Sequence, residues 1–210
     1  LLLGLVFSTY SASWMVAGLA IGWLVYGLLL HPAGVRRNGR ALLGVGLIAT
    51  GVVLPLVVYL AAHPELGERF QQLGGPLDTL MRGDAGPILR AIAATLGMVS
   101  ASLDARWTYA RPGSPAFGIV GQVLVYLGLI RGVRRFRHPA YGLLTIWFVV
   151  MLIPSMVTPD APSSIRAIGA LPAVCGFLGV GASLVLDWAH ALRHAPKKGL
   201  RTVLYGVLIG

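Results

Sequence analysis

The stretch AYGLLTIWFVVMLIPSMV, residues 140–157, contains 18 residues and no Asp, Glu, Lys or Arg. This length is close to the roughly 20 apolar residues with which a helix crosses a bilayer. Directly after it comes TPDAPSSIRAIGALP, residues 158–172, with one acid, three prolines and one arginine, and a second apolar run occupies 167–186. The order predicts two membrane-spanning helices joined by a short charged loop.

The rest of the chain has the same character. Of its 210 residues, 56% are hydrophobic and 11% are charged, too few charges to cover the surface of a soluble domain. Further apolar runs occupy 12–30, 41–62 and 116–130. We therefore predict an all-α fold, a polytopic transmembrane helix bundle with about five full spans. Because the sequence starts and stops inside apolar runs, we expect partial helices at both ends and a longer parent domain around residues 1–210.

The polar interval between the second and third of these runs predicts a loop region. It covers residues 63–115 and contains ILRAIAATLGMVSASLD, whose mixture of small, apolar and polar residues predicts an interfacial helix near 88–103. In the first apolar run, Gly18 and Gly22 form a small-xxx-small pair that predicts close packing against another helix.

Basic residues are distributed unevenly along the chain. Eleven of the 17 lie in segments 31–40, 131–139 and 188–202, which contain no Asp or Glu, whereas the other six share their segments with six acids. Cytoplasmic loops carry an excess of Lys and Arg, so these three segments are predicted to be cytoplasmic and region 63–115 to lie on the opposite side. The basic residues lie in short clusters between apolar runs and are not interleaved with aromatics on a water-facing surface, which argues against a nucleic-acid partner.

The sequence contains no motif of a soluble hydrolase, ATPase or zinc enzyme, and its single cysteine, Cys175, has no partner for a disulfide or a metal site. Asp160 and Arg166 attract attention because charge near a bilayer is a functional hypothesis by default. Pro162 is expected to start the helix that carries Arg166, whose guanidinium suits a phosphate. The alternative is an Asp160–Arg166 ion pair, or an Asp160 cap on that helix.

A second outward cluster, DARWTYARP, offers Arg106, Trp107 and Tyr109. Aromatic residues at a membrane interface commonly form an anchoring belt. A sugar or lipid headgroup site would use the same residue types, and both interpretations stay open.

The order of YLAAHPEL, GGPLDTLMRG, TLGMVSASLDARWTYARPG and PSMVTPDAPSSIRAIGALP resembles the later half of bacterial membrane glycosyltransferases of the GT-C class, the dolichyl-phosphate-mannose-protein mannosyltransferase-like family 39. The resemblance covers roughly residues 5–186. It implies a protein of the bacterial plasma membrane that moves a sugar from a polyprenyl-phosphate carrier to an acceptor at the outer face, with membrane lipid around it.

The same resemblance implies that a carboxylate in the first extracytoplasmic loop acts as the base or as a metal-assisted acid. That loop precedes residue 1, so we expect the catalytic acid, and the ligands of any divalent metal, outside this chain. Within the chain, Arg166 is the implied ligand of the donor phosphate, supported by Asp160 and Ser163. Ser163 and Trp14 stand where relatives often have histidine and a basic residue.

Two other functions compete with glycosyl transfer. A transporter or lipid flippase is expected to place ionisable residues near the middle of the membrane, and the interiors of the five apolar runs contain no Asp, Glu, Lys or Arg. A non-catalytic membrane assembly subunit is the third hypothesis.

Overall fold

The structure is a computed structural model that describes residues 15–62, 79–100, 115–158 and 161–194. These residues form helices and turns, with no strand among them, which confirms the predicted all-α class. The main helices are α1 (Met15–Leu30), α2 (Pro32–Arg37), α3 (Gly39–Ala62), α4 (Gly86–Leu96), α5 (Ile119–Arg134), α6 (Pro139–Met156), α7 (Ser164–Ala167) and α8 (Leu171–His194). Short 3₁₀ helices, Gly97–Val99 and Ile168–Ala170, follow α4 and α7.

Each of the five predicted apolar runs contains one long helix. Two helical stretches are long and apolar enough to cross a membrane: Pro139–Met156, and Ser164–Arg193, which joins α7 to α8 through the 3₁₀ turn. The shorter apolar helices are Met15–Leu30, Gly39–Gly51 within α3, and Gly86–Val99. Length and composition of the described helices therefore support two spans, and the other three stay predictions.

Several predicted boundaries were wrong by a few residues. The segments 31–40, 131–139 and 188–202 were predicted as loops, but α2 occupies much of the first, α5 continues through Arg134 in the second and α8 continues through His194 in the third. Arginine is a good helix former, and its charge interacts favourably with the carbonyls at a helix C-terminus. The helix predicted near 88–103 begins at Gly86, and the 3₁₀ turn that follows it ends at Val99; residues 101–103 lie outside the described part of the chain.

The chain divides into two compact units. The first contains the described residues up to Ala116 together with Ile146–Leu171; the second contains Phe117–Thr145 and the described residues from Pro172 onward.

In the first unit, α1 packs on residues 146–150 of α6, as the glycine pair predicts. A Cβ placed on Gly18 would lie 3.3 Å from Val150 Cγ1, and one on Gly22 would lie 3.1 Å from Ile146 Cγ2. Helix α4 and the 3₁₀ turn after it bury Ala91, Thr95 and Met98, which are spaced four and three residues apart and so share one face. Only Thr95 brings a polar group to that face.

In the second unit, α5 and α8 approach until their backbones touch. A Cβ on Gly128 would overlap the carbonyl oxygen of Phe177, and a Cβ on Gly181 would overlap that of Leu124. Along α5 the contact moves forward from Leu124 to Gly128, while along α8 it moves backward from Gly181 to Phe177. The two helices therefore run antiparallel. Phe177, which is fully buried, also lies against Gly132. Close approach of this kind is what small residues allow between membrane helices.

Candidate functional site

Two of the predicted site residues, Ser163 and Arg166, lie within the described part of the chain. Asp160, Arg106, Trp107 and Tyr109 lie outside it. The choice between an ion pair of Asp160 with Arg166 and a phosphate bound by Arg166 therefore stays open. The geometry that follows concerns residues 161–170, which we call the Arg166 segment.

The Arg166 segment turns from an extended backbone into a short helix. Ser163 has extended dihedral angles, φ −124° and ψ 108°, and its carbonyl accepts the N–H of Ala167 at 3.0 Å. Helix α7 therefore begins at Ser164, two residues after Pro162, where the sequence predicted a start at the proline itself. Ser163 occupies the cap position without using its side chain as a cap.

Ser163 is held by a hydrogen bond to Ser155, which lies near the C-terminal end of α6. The backbone N–H of Ser163 donates to Ser155 Oγ at 3.0 Å. Ser155 Oγ also forms a hydrogen bond of 3.1 Å with Thr95 Oγ1 on α4. Ser155, Thr95 and Ser163 are 0%, 1% and 5% exposed, so these groups have no water to replace a lost partner. One hydroxyl thus connects three segments of the first unit.

The end of α6 satisfies its own carbonyls with a side chain. Thr158 Oγ1 donates to the carbonyls of Pro154 at 3.1 Å and Ser155 at 3.3 Å. Helix carbonyls in the last turn have no N–H partner within the helix, and a hydroxyl four residues on supplies one. This local bonding holds the turn that carries Ser155.

The C-terminal end of the Arg166 segment contacts α6 one to two helical turns before Ser155. Trp147 Nε1 donates to the carbonyl of Gly169 at 2.9 Å. Gly169 also lies so close to Met151 that an added Cβ would be 2.9 Å from its sulfur. Since Ser163 meets Ser155 and Gly169 meets Trp147 and Met151, the segment runs back along α6 in the opposite direction.

Arg166 lies between these two attachments, in the third position of α7. Its side chain is partly exposed, while its Nη1 nitrogen is buried. A guanidinium keeps its positive charge at all physiological pH values and presents several donors in one plane. The arrangement therefore presents a permanent cation from a backbone that is fixed on both sides.

Sequence reasoning missed Thr95, Trp147 and Ser155. The signal available for Ser155 was a hydroxyl residue inside an apolar run, directly after Pro154. Buried hydroxyls need hydrogen-bond partners, so such a residue is a candidate for tertiary contact. Nothing in the sequence named the partner.

Among the described residues, no three His, Cys, Asp or Glu side chains lie together as a metal site requires. No protein-family model, no curated protein and no solved structure matches the chain.

Proposed function

We propose that this chain is part of an integral-membrane glycosyltransferase of the GT-C class, in which Arg166 binds the phosphate of a polyprenyl-phosphate-linked sugar donor. The observation that carries the proposal is the attachment of the Arg166 segment to α6 at both ends, through Ser163 and Gly169. The order of motifs that resembles family 39 supports the same function. The polytopic arrangement, with the Arg166 segment on the extracytoplasmic side, belongs to this proposal.

The role follows from the charge that develops during transfer. As the bond between the anomeric carbon and the phosphate oxygen breaks, the leaving phosphate gains negative charge. A guanidinium fork donates hydrogen bonds to two phosphate oxygens at once, and a fixed cation beside the leaving group stabilises the transition state. Fixing Arg166 beforehand reduces the reorganisation needed at the moment of reaction.

The transporter hypothesis has less support. Helix α6 and the first 16 residues of α8 contain no Asp, Glu, Lys or Arg. A pathway through the bilayer is commonly lined by ionisable groups near its middle.

The test is sugar transfer by the full-length protein with Arg166→Ala, Arg166→Lys and the control Arg90→Ala. Arg90 is an exposed arginine on α4 of the same unit. We expect R166A to lower kcat/KM for the lipid-phosphate donor on the order of 10²-fold to 10³-fold, as for other fixed donors that stabilise a developing anion. R166K keeps the positive charge and loses the planar pair of donors, so its kcat/KM is expected to lie between those of R166A and the unaltered protein.

R90A is expected to keep the kinetics of the unaltered protein. Transfer by R166A with unchanged rate and unchanged KM for the donor would reject the role of Arg166.

A further inference from the structure

Four arginines lie at the junction of α5 and α6, in residues 131–138, which we call the arginine turn. Arg131 and Arg134 belong to the last turn of α5, and Arg135 and Arg137 lie in the four-residue link to α6. The backbone of this link is ordered by hydrogen bonds: Arg135 N–H donates to the carbonyl of Arg131 at 2.9 Å, and His138 N–H donates to that of Arg135 at 2.8 Å. The charges are therefore carried on a defined turn.

The charge of the arginine turn is concentrated and accessible. Arg134, Arg135 and Arg137 are exposed. The sequence contains no Asp, Glu or Lys between Asp104 and Asp160, so four positive charges within seven residues belong to a stretch of 55 residues without an acid. All four are arginine, the side chain that meets phosphate in a bidentate manner.

The position of the turn relative to the apolar helices matches the depth of lipid phosphates. Helix α6 starts directly after it and has 18 residues, about 27 Å of helix, close to the thickness of the hydrocarbon core. The arginine turn thus lies at one end of a helix that fits the bilayer core.

The exposed side of α5 carries a row of apolar residues that ends at the arginine turn. Val120, Val123, Leu127 and Ile130 are exposed and follow one another at intervals of three or four residues, so they form one row along the helix. Arg134 is the next member of that row and is also exposed. It lies about 6 Å beyond Ile130 along the axis. An apolar row that ends in an exposed arginine is the pattern expected where lipid chains give way to headgroups.

We propose that the arginine turn is a binding site for the phosphate groups of anionic phospholipids in the adjoining leaflet. Exposed guanidiniums at phosphate depth supply the charge and the hydrogen-bond donors, and the ordered turn keeps several of them on one small surface. This proposal is independent of glycosyl transfer, because it uses α5, the arginine turn and the length of α6 and no residue of the Arg166 segment.

The experiment measures lipid binding to the full-length protein in a non-ionic detergent by native mass spectrometry. The probes are phosphatidylglycerol and phosphatidylcholine with identical acyl chains. The variants are R134Q/R135Q and, as a control that removes the same number of exposed arginines elsewhere, R82Q/R90Q. Each basic residue near an anionic surface strengthens attraction about fivefold, so two removals are expected to weaken phosphatidylglycerol binding by at least about tenfold.

We expect the unaltered protein to prefer phosphatidylglycerol, R134Q/R135Q to lose that preference, and R82Q/R90Q to keep it within about twofold. Equal binding of both lipids by the unaltered protein would overturn the proposal. An equal loss in R82Q/R90Q would also overturn it, because net charge alone would then explain the preference.

Discussion

Replacing Ser155 by alanine tests the buried connection that holds the Arg166 segment. The substitution removes one oxygen and barely changes shape, so its effect is dominated by hydrogen bonding. Two groups lose their hydrogen bond to Ser155 Oγ: the N–H of Ser163 at 3.0 Å and the hydroxyl of Thr95 at 3.1 Å. Both partners are buried.

The two losses differ in size. The N–H of Ser163 is fixed in the backbone and has no freedom to turn, so its loss costs about 1–3 kcal/mol of the free energy of unfolding. The hydroxyl of Thr95 can rotate toward the carbonyl of Ala91, one turn earlier in α4, which lowers its cost. Hydrogen bonds between membrane helices average about 0.6 kcal/mol in double-mutant cycles. We therefore expect S155A to cost about 2–3 kcal/mol in total, mostly through Ser163.

The assay is reversible unfolding of the full-length protein in mixed micelles, applied to S155A, T95V and the double variant. The coupling between the two positions is expected to be about 0.6 kcal/mol, and S155A is expected to cost more than T95V. Ser183→Ala is the control: its hydroxyl is exposed and donates to the carbonyl of Val180 in its own helix, so the substitution should change stability by less than about 0.5 kcal/mol.

A cost of S155A no larger than that of S183A would refute the reasoning. So would T95V costing more than S155A, because the ranking rests on the fixed N–H of Ser163. Under the proposed function, S155A should also raise the KM for the donor, since the segment that carries Arg166 loses one of its attachments.

Two further predictions concern other contacts. Gly128→Ala is expected to destabilise by about 1–3 kcal/mol, because its methyl group would overlap the carbonyl of Phe177. At Gly179 an added methyl group would meet no atom of another described segment within 4 Å, so Gly179→Ala should be neutral or stabilising by up to about 1 kcal/mol in the same unfolding assay. Equal effects of the two substitutions would contradict the close packing. Trp147→Phe removes the donor to Gly169 and keeps an aromatic ring, and we expect a loss of about 1 kcal/mol with a raised KM for the lipid-phosphate donor. Unchanged stability and unchanged KM would show that this attachment has no role.

Local pattern was sufficient for the helices and insufficient for their ends. Apolar runs such as 140–157 exclude charge over a length that only a helix can bury in lipid, so each predicted run contains a helix. The arginines after residue 130 were predicted to lie in a loop, because the first charged residue was assumed to mark the end of the helix over 116–130. Arg131 and Arg134 instead complete α5, since charge and helix propensity are separate properties.

The candidate site was predictable in part for the same reason. Arg166 attracts attention because a lone cation between apolar runs is unusual in any context. Ser163 was singled out by comparison with a family motif, where histidine is common. Its observed contact, however, is made by its backbone N–H, which every residue except proline possesses. The side chain at that position therefore carried no information about this contact.

By itself, the sequence determined the helical class, the apolar character of the helices, the uneven distribution of arginine and the choice of Arg166 as a candidate. These depend on composition and spacing over about 20 residues, which is the range within which a helix and a bilayer select side chains. Only the tertiary structure decided that Ser155 bonds to Thr95, 60 residues away, and that Trp147 holds Gly169. Hydroxyl and indole groups can form hydrogen bonds with many different partners, and packing alone brings one partner within hydrogen-bonding distance.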